Sequence, residues 1–149
     1  MHGIDILPAK SEDIEELLKI EKLSFPTCWL KDFLEREFHR PVVRVWLARQ
    51  TSESAQTVGY LAAVRVGREL HLLQIASHPQ QRRKGVATAL LSHALDVEVD
   101  VKSVVLEVRE SNRAAMGFYE KMGFGKIGRG KSYYSDTGED ALYLARILS

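Results

Sequence analysis

Several features are scarce or missing in this 149-residue chain, and each one excludes a class of protein. Cys28 is the only cysteine, so no intrachain disulfide can form and reducing surroundings are allowed. The formal net charge is +1, which produces no overall field to attract nucleic acid or an anionic membrane. Apolar runs of membrane-spanning length are absent, and the first ten residues lack the pattern of a signal peptide. We therefore expect a soluble, cytoplasmic protein without direct contact to nucleic acid or membrane.

The remaining composition is that of an ordinary folded domain, with 45% hydrophobic and 28% charged residues. The length fits one hydrophobic core, and no repeat, low-complexity tract or long linker divides the sequence. We expect a single domain over residues 1–149. Nothing in the pattern selects an oligomeric state.

The hydrophobic pattern predicts strands and helices in a mixed order. Alternation and β-branched residues indicate strands at 4–9, 42–50, 58–66, 69–77, 103–109, 126–134 and 141–148. Helical spacing indicates one helix from 14 to the Phe25-Pro26 pair and others at 30–39, 85–97 and 112–122. Ser11 is placed as the N-cap of the first helix, and Gly123 suits the left-handed residue that ends the last. This order predicts a mixed α/β sheet with helices packed on it.

The stretch RRKGVATALL, at 82–91, combines three cations with a glycine at the start of a predicted helix. Gly85 permits a positive φ, and the first-turn N–H groups of the helix carry partial positive charge. A phosphate could bind there, and Arg82, Arg83 and Lys84 would add charge at the rim. The stretch is neither a Walker A motif nor a dinucleotide fingerprint. From the residues alone, a solvated charged loop is an equally good interpretation.

Three further residues have both a structural and a functional interpretation. Glu107 lies inside the apolar strand VVLEVR, where a carboxylate is unusual, although it could simply face outward on an exposed sheet face. Tyr119 lies on a helix beside an aromatic neighbour, where tyrosine usually belongs to the core. Asn112 precedes that helix, where asparagine is a common N-cap.

The ordered set of these motifs resembles a known enzyme family. RRKGVA has the form R-x-x-G-x-A between a strand and a helix, and a strand containing a glutamate follows about twenty residues later. The segment LEVRESNRAAMGFYEKMGF at 106–124, the tail YYSDTGEDA at 133–141, and Phe25, Pro26 and Trp29 complete the likeness. The chain resembles the GNAT superfamily of acetyl-CoA-dependent N-acetyltransferases over nearly its whole length. Within that superfamily it is most similar to the RimI group, the ribosomal-protein-alanine acetyltransferases.

The resemblance implies a fold and a set of cofactor-binding residues. The GNAT fold is a mixed, mostly antiparallel central sheet of about seven strands flanked by about four helices. In the family, the loop matching 82–87 wraps the pyrophosphate of coenzyme A, and the end of the preceding strand holds the pantetheine and the acetyl carbonyl by its backbone. The residues implied to bind acetyl-CoA are Ile75, Ala76, Ser77, Arg82, Arg83, Lys84, Gly85, Val86, Ala87 and Asn112.

The resemblance also implies a catalytic pair and an acceptor. Glu107 matches the family's general base and Tyr119 its general acid, which protonates the departing thiolate. Tyr133 and Tyr134 match the hairpin that lines the peptide groove. The implied acceptor is the N-terminal amine of a protein, most simply the N-terminal alanine of a small-subunit ribosomal protein. Direct transfer needs neither a metal nor a covalent acyl-enzyme, so Cys28 is not assigned as a nucleophile.

Departures from the family pattern leave alternatives open for the acceptor. Lys131 and Ser132 stand where close relatives often have arginine and asparagine, and Leu30 replaces a polar residue that often follows the tryptophan. A lysine, another protein N-terminus or a small-molecule amine therefore remain candidate acceptors. A third hypothesis is a regulatory domain that binds acyl-CoA without catalysis. The presence of both Glu107 and Tyr119 argues against it, because a binding module needs neither.

Overall fold

The chain forms seven strands and four α-helices, seen here in a computed structural model that describes residues 3–82 and 84–148. The strands are β1 (Ile4–Pro8), β2 (Val43–Gln50), β3 (Thr57–Val66), β4 (Glu69–Ser77), β5 (Ser103–Arg109), β6 (Gly125–Gly130) and β7 (Ala141–Ile147). The helices are α1 (Ile14–Ser24), α2 (Leu30–Glu37), α3 (Val86–Val97) and α4 (Arg113–Lys121). The strand order is β1-β2-β3-β4-β5-β7-β6. This mixed, mostly antiparallel sheet with four helices confirms the predicted fold class.

One compact unit comprises residues 1–64 and 74–99. In it, β1 pairs antiparallel with β2, and β2 pairs antiparallel with β3. A core of aliphatic residues from α1, α2 and the strands packs around Tyr60, and it contains Leu17, Ile20, Leu30, Leu34, Val45, Leu47, Ala62 and Ala76. The apolar stripe of α1 repeats at helical spacing, which is why that face is buried.

A buried carboxylate fixes the connection between α1 and α2. Glu21 is only 2% exposed, and its Oε2 accepts hydrogen bonds from the backbone N–H groups of Trp29 and Leu30, both at 3.0 Å. The same oxygen accepts from the side-chain amide of Gln74 at 3.2 Å, and Tyr60 donates to Gln74 Oε1 at 2.6 Å. Glu21 therefore caps α2 from a neighbouring helix and satisfies donors that would otherwise be buried without acceptors.

The second compact unit comprises residues 65–73 and 100–149. The first half of β4 runs parallel to β5, whereas β7 pairs antiparallel with β5 on one side and β6 on the other. Along β5, buried residues alternate with partly exposed ones, so Glu107 lies on the partly exposed face. Gly123 has φ 90 and ends α4 as predicted.

Some predicted details are wrong. Ser11 is not the N-cap of α1, because residues Ser11–Asp13 form a 3-10 turn and Asp13 occupies the cap position. The second helix ends at Glu37, two residues before its predicted end at residue 39. The strand predicted at 126–134 ends at Gly130, because Ser132 adopts a left-handed conformation (φ 50) and gives its N–H to Asp140 at 2.8 Å. Tyr133 and Tyr134 therefore lie in a loop.

Candidate active site

The start of α3 has the geometry expected of an anion-binding loop. Gly85 is the N-cap of α3 and adopts the left-handed conformation, with φ 81 and ψ 10. A Cβ atom added to Gly85 would meet nothing within 4 Å, so its backbone faces open space. As a glycine, it offers no side-chain acceptor to the first-turn N–H groups of α3.

Close packing at Gly59 fixes the start of α3 against the sheet. A Cβ atom at Gly59 would lie 2.7 Å from Val86 Cγ1 and 2.8 Å from the carbonyl oxygen of Ala76. Only glycine allows this approach. The first residue of α3 consequently packs on β3 beside the backbone of Ala76, which brings two parts of the predicted acetyl-CoA site together within one unit.

The other residues predicted to bind acetyl-CoA in this unit differ in exposure. Arg82 and Lys84 are exposed, Ala87 is half-buried, and Val86 is buried. Arg83 lies outside the described residues. Ile75 and Ser77 are partly exposed on one face of β4, whereas the side chain of Ala76 points into the core, so Ala76 could contact a ligand only through its backbone.

Glu107 forms a hydrogen bond with a histidine that the sequence did not single out for this role. His71 Nε2 lies 2.7 Å from Glu107 Oε2, and the two side chains are 33% and 26% exposed. The hydrogen bond to Glu107 raises the pKa of His71 above its ordinary value, against the opposing effect of burial. The carboxylate is thus held by one oxygen at a partly solvated position.

Tyr133 and Tyr134 stand close enough to Glu107 for its charge to act on them. Burial raises the pKa of both phenols, and the charge of Glu107 adds to each increase; the pKa of Tyr134 rises to about 12. The two rings meet edge-on, with centroids 5.0 Å apart. The second unit therefore gathers the predicted base and the predicted substrate-binding tyrosines in one neighbourhood.

Salt bridges hold the loop that carries these tyrosines. Arg109 makes two hydrogen bonds to the carboxylate of Asp136, at 2.8 and 3.0 Å, and its guanidinium lies 4.0 Å from the centre of the Tyr134 ring. Arg129 bonds Glu110 at 2.8 Å and Asp140 at 2.9 Å. The bidentate and stacked geometry suits arginine and gives the loop a defined conformation.

Tyr119 is buried, as a core aromatic would be. It retains 6% of its exposure and contacts Phe118 and Phe124 edge-on, with centroids at 5.2 and 5.4 Å. Burial raises the pKa of its phenol, so the hydroxyl stays protonated at neutral pH. This protonation state is the one a general acid requires, although the packing by itself is equally that of a structural residue.

Asn112 acts as the N-cap of α4. Its Oδ1 accepts a hydrogen bond from the backbone N–H of Ala115 at 3.1 Å. This is the structural role that asparagine commonly plays at such a position.

His71 is the residue of the site that sequence reasoning missed. The only signal was its position in β4, since the alternation along that strand places it on the partly exposed face. Its pairing with Glu107 depends on the parallel register, in which His71 lies opposite Val105. Over residues 3–82 and 84–148, no group of three or more His, Cys, Asp or Glu side chains is arranged to hold a metal ion.

Comparison with known proteins places the chain in a family. The profile of the Acetyltransferase (GNAT) family matches residues 13–124, and the chain belongs to this family of acetyl-CoA-dependent N-acetyltransferases. It is 31% identical to an N-alpha-acetyltransferase of Saccharolobus solfataricus, over 94% of this chain and 90% of that one. It is 34% identical to the [ribosomal protein bS18]-alanine N-acetyltransferase of Escherichia coli K12, over 70% of this chain and 73% of that one.

The fold comparison agrees with the sequence comparison. The crystal structure of the ribosomal-protein-S18-alanine N-acetyltransferase from Escherichia coli superposes with a TM-score of 0.85 and 28% identity. That match covers 99% of this chain and 95% of the other. The resemblance to the RimI group is thereby confirmed. In the part of the chain that the structure describes, no helix is both long and apolar enough to cross a membrane.

Proposed function

We propose that this enzyme transfers the acetyl group of acetyl-CoA to the N-terminal α-amine of a protein. The acceptor we favour is the N-terminal alanine of a small-subunit ribosomal protein. The observation that carries the proposal is a carboxylate, Glu107, held at 2.7 Å by His71 on a partly exposed face near two loop tyrosines. The names of the Escherichia coli and Saccharolobus relatives, both N-terminal acetyltransferases, support the same class of acceptor.

The first compact unit supplies the residues that would hold acetyl-CoA. The left-handed Gly85 and the first-turn N–H groups of α3, beginning at Val86, suit a pyrophosphate. Arg82, Arg83 and Lys84 would add positive charge. The backbone of Ile75, Ala76 and Ser77 would hold the pantetheine arm and donate to the carbonyl oxygen as it gains charge.

Glu107 would act as the general base. An N-terminal ammonium has a pKa of about 8, whereas a lysine ammonium lies near about 10.4, so a modest base suffices for the former. His71 would hold Oε2 and leave Oε1 for the amine or an intervening water. The ammonium would first pass one proton to Glu107, and the neutral nitrogen would then form its bond to the acetyl carbon. Its second proton would leave to water as the amide forms.

Tyr119 would act as the general acid. Attack of the nitrogen would place negative charge on the carbonyl oxygen; the C–S bond would break as that charge returns to re-form the carbonyl, and the departing sulfur would carry the electron pair. The phenol is protonated before the reaction and has a proton to supply, although burial raises its pKa and so makes it a weaker acid than an exposed tyrosine. Because a thiol is the stronger acid of the two, the transfer must be concerted with cleavage. No covalent acyl-enzyme is required.

The test is an acetyl-CoA assay against a peptide panel. We expect acetylation of peptides with free N-terminal alanine from ribosomal proteins, and little of a lysine peptide whose terminus is blocked. Equal or greater acetylation of the blocked peptide would overturn the N-terminal assignment in favour of a lysine acetyltransferase. The panel also includes other first residues and a small polyamine, since the Saccharolobus relative is named for N-alpha-acetylation without a specified protein.

A further inference from the structure

Tyr143 lies directly beside Glu107 although no motif singled it out. In the antiparallel pairing of β5 with β7, Glu107 and Tyr143 are Cα partners. Opposite residues of an antiparallel pair project from the same sheet face, with Cβ atoms about 4.5–5.5 Å apart. His71 reaches Glu107 from β4 on the other side. The carboxylate therefore has an imidazole on one side and, on the other, the strand position that Tyr143 occupies.

The ring of Tyr143 occupies space that a missing side chain leaves on β6. A Cβ atom at Gly130 would lie 3.0 Å from Tyr143 Cζ and closer still to the hydroxyl oxygen, while at Gly128 it would lie 3.4 Å from the ring. The backbone of Gly130 is not in the left-handed region. A side chain at 130 would consequently displace the hydroxyl end of the neighbouring tyrosine, whereas the local chain conformation itself would accept one.

Tyr143 begins a row of aromatic rings that continues into the loop at 131–140, between β6 and β7. Its ring meets Tyr133 edge-on, with centroids 6.2 Å apart and planes at 88°. Tyr133 meets Tyr134 in the same manner, and Arg109 lies over Tyr134. A Cβ atom at Gly130 would also come within 3.4 Å of Tyr133. A Cβ atom at 130 would thus press on Tyr143 and make ordinary contact with Tyr133.

We propose that Tyr143, seated in the space left by Gly130, is a specificity-determining residue that limits the size of the acceptor's first side chain. An ammonium that approaches Glu107 would also face aromatic rings, which attract cations. Tyr143 and Gly130 together would favour an acceptor whose α-amine is flanked by a small side chain, such as that of alanine. This inference rests on the proposed function, because it assumes that the acceptor amine comes to Glu107.

The test compares Gly130→Ala with Gly125→Ala, a matched change on the same strand where the new Cβ would meet nothing within 4 Å. We expect Gly130→Ala to raise the acceptor KM by about tenfold, since small displacements of positioning groups are costly. Gly125→Ala should behave like the wild type, and the acetyl-CoA KM should stay unchanged in both. Equal acceptor KM values for the two variants would overturn the role of Gly130.

Changes at Tyr143 test the size limit directly. Tyr143→Ile should lower the preference for alanine over methionine as first residue by roughly tenfold in kcat/KM, because the smaller side chain leaves more apolar space for the first residue of the acceptor. In the double variant Gly130→Ala/Tyr143→Ile the clash is gone, so the acceptor KM should return to that of Tyr143→Ile alone. An unchanged alanine preference in Tyr143→Ile, or no such recovery, would refute the inference.

Failure of this inference and failure of the proposed function give different results. If the wild type acetylates no peptide N-terminus but does acetylate another amine, the proposed function fails, and the size series is repeated with that amine. If the wild type acetylates alanine peptides but Tyr143→Ile keeps the same selectivity, the proposed function stands and the inference fails.

Discussion

Substitution of Gly85 isolates the contribution of one backbone conformation to cofactor binding. The residue has φ 81 and ψ 10, and a Cβ atom there would meet nothing within 4 Å. Packing therefore predicts no cost for a side chain, whereas the left-handed conformation costs an L-residue about 1–2 kcal/mol. Because a Cβ atom at 85 meets no protein atom, an effect of Gly85→Ala on the stability of the free protein must come from the backbone.

The size of the effect follows from that strain. Since about 1.4 kcal/mol corresponds to tenfold in affinity, a cost of 1–2 kcal/mol weakens acetyl-CoA binding by roughly 5- to 30-fold. This loss of affinity is expected if the loop of the variant relaxes to another conformation in the free protein, because binding must then restore the left-handed one. If the loop does not relax, the same energy is lost from the free energy of unfolding. Gly85→Val should lie at the upper end and Gly85→Asn near the wild type, because asparagine tolerates this conformation.

The assay is calorimetric titration with acetyl-CoA, together with urea unfolding of each variant. Gly67→Ala is the matched control, since Gly67 has φ 60 and open space around its Cβ direction but lies in the turn that precedes β4. It should lose a similar unfolding free energy and keep its acetyl-CoA affinity. Unchanged affinity and unchanged stability in Gly85→Val would show that this loop does not hold acetyl-CoA in the observed conformation.

The remaining predictions concern turnover and stability. Glu107→Gln and Tyr119→Phe should keep acetyl-CoA binding but each lose about 100-fold or more in kcat, and normal turnover in both would refute the catalytic assignment. His71→Gln should cost roughly 0.5–1 kcal/mol in urea unfolding at pH 5.5 and little at pH 9. The folded pKa of His71 is raised, so its pairing with Glu107 contributes fully below the ordinary value and is lost as pH rises through the folded value; equal losses at both pH values contradict this. Glu21→Ala should lower the unfolding free energy by about 3 kcal/mol, because three donors lose their acceptor. Glu21→Gln should cost less, since one amide oxygen can replace Oε2, and an equal loss would contradict that explanation.

The sequence by itself determined the order of the elements, the family and the character of the cofactor loop. These features depend on neighbours in the chain: the alternation in VVLEVR, the helical spacing in α1, and a glycine just before a helix. The resemblance added the roles of Glu107 and Tyr119, which remain predictions until the variants are measured. The sequence pattern predicted strand at 131–134, which is wrong. Ser132 adopts a left-handed conformation, so β6 ends early and the two tyrosines that follow lie in a loop.

Only the tertiary structure decided which side chains surround Glu107. His71 is 36 residues away in the chain and reaches the carboxylate because β4 and β5 run parallel in one register. Tyr143 is the neighbour of Glu107 on the other side through the antiparallel register of β7, and the space at Gly130 that its ring fills belongs to a third strand. A shift of one residue in either register would turn these side chains to the opposite face. Periodicity within a strand cannot specify such partners, because the pairing depends on how the strands are aligned with one another.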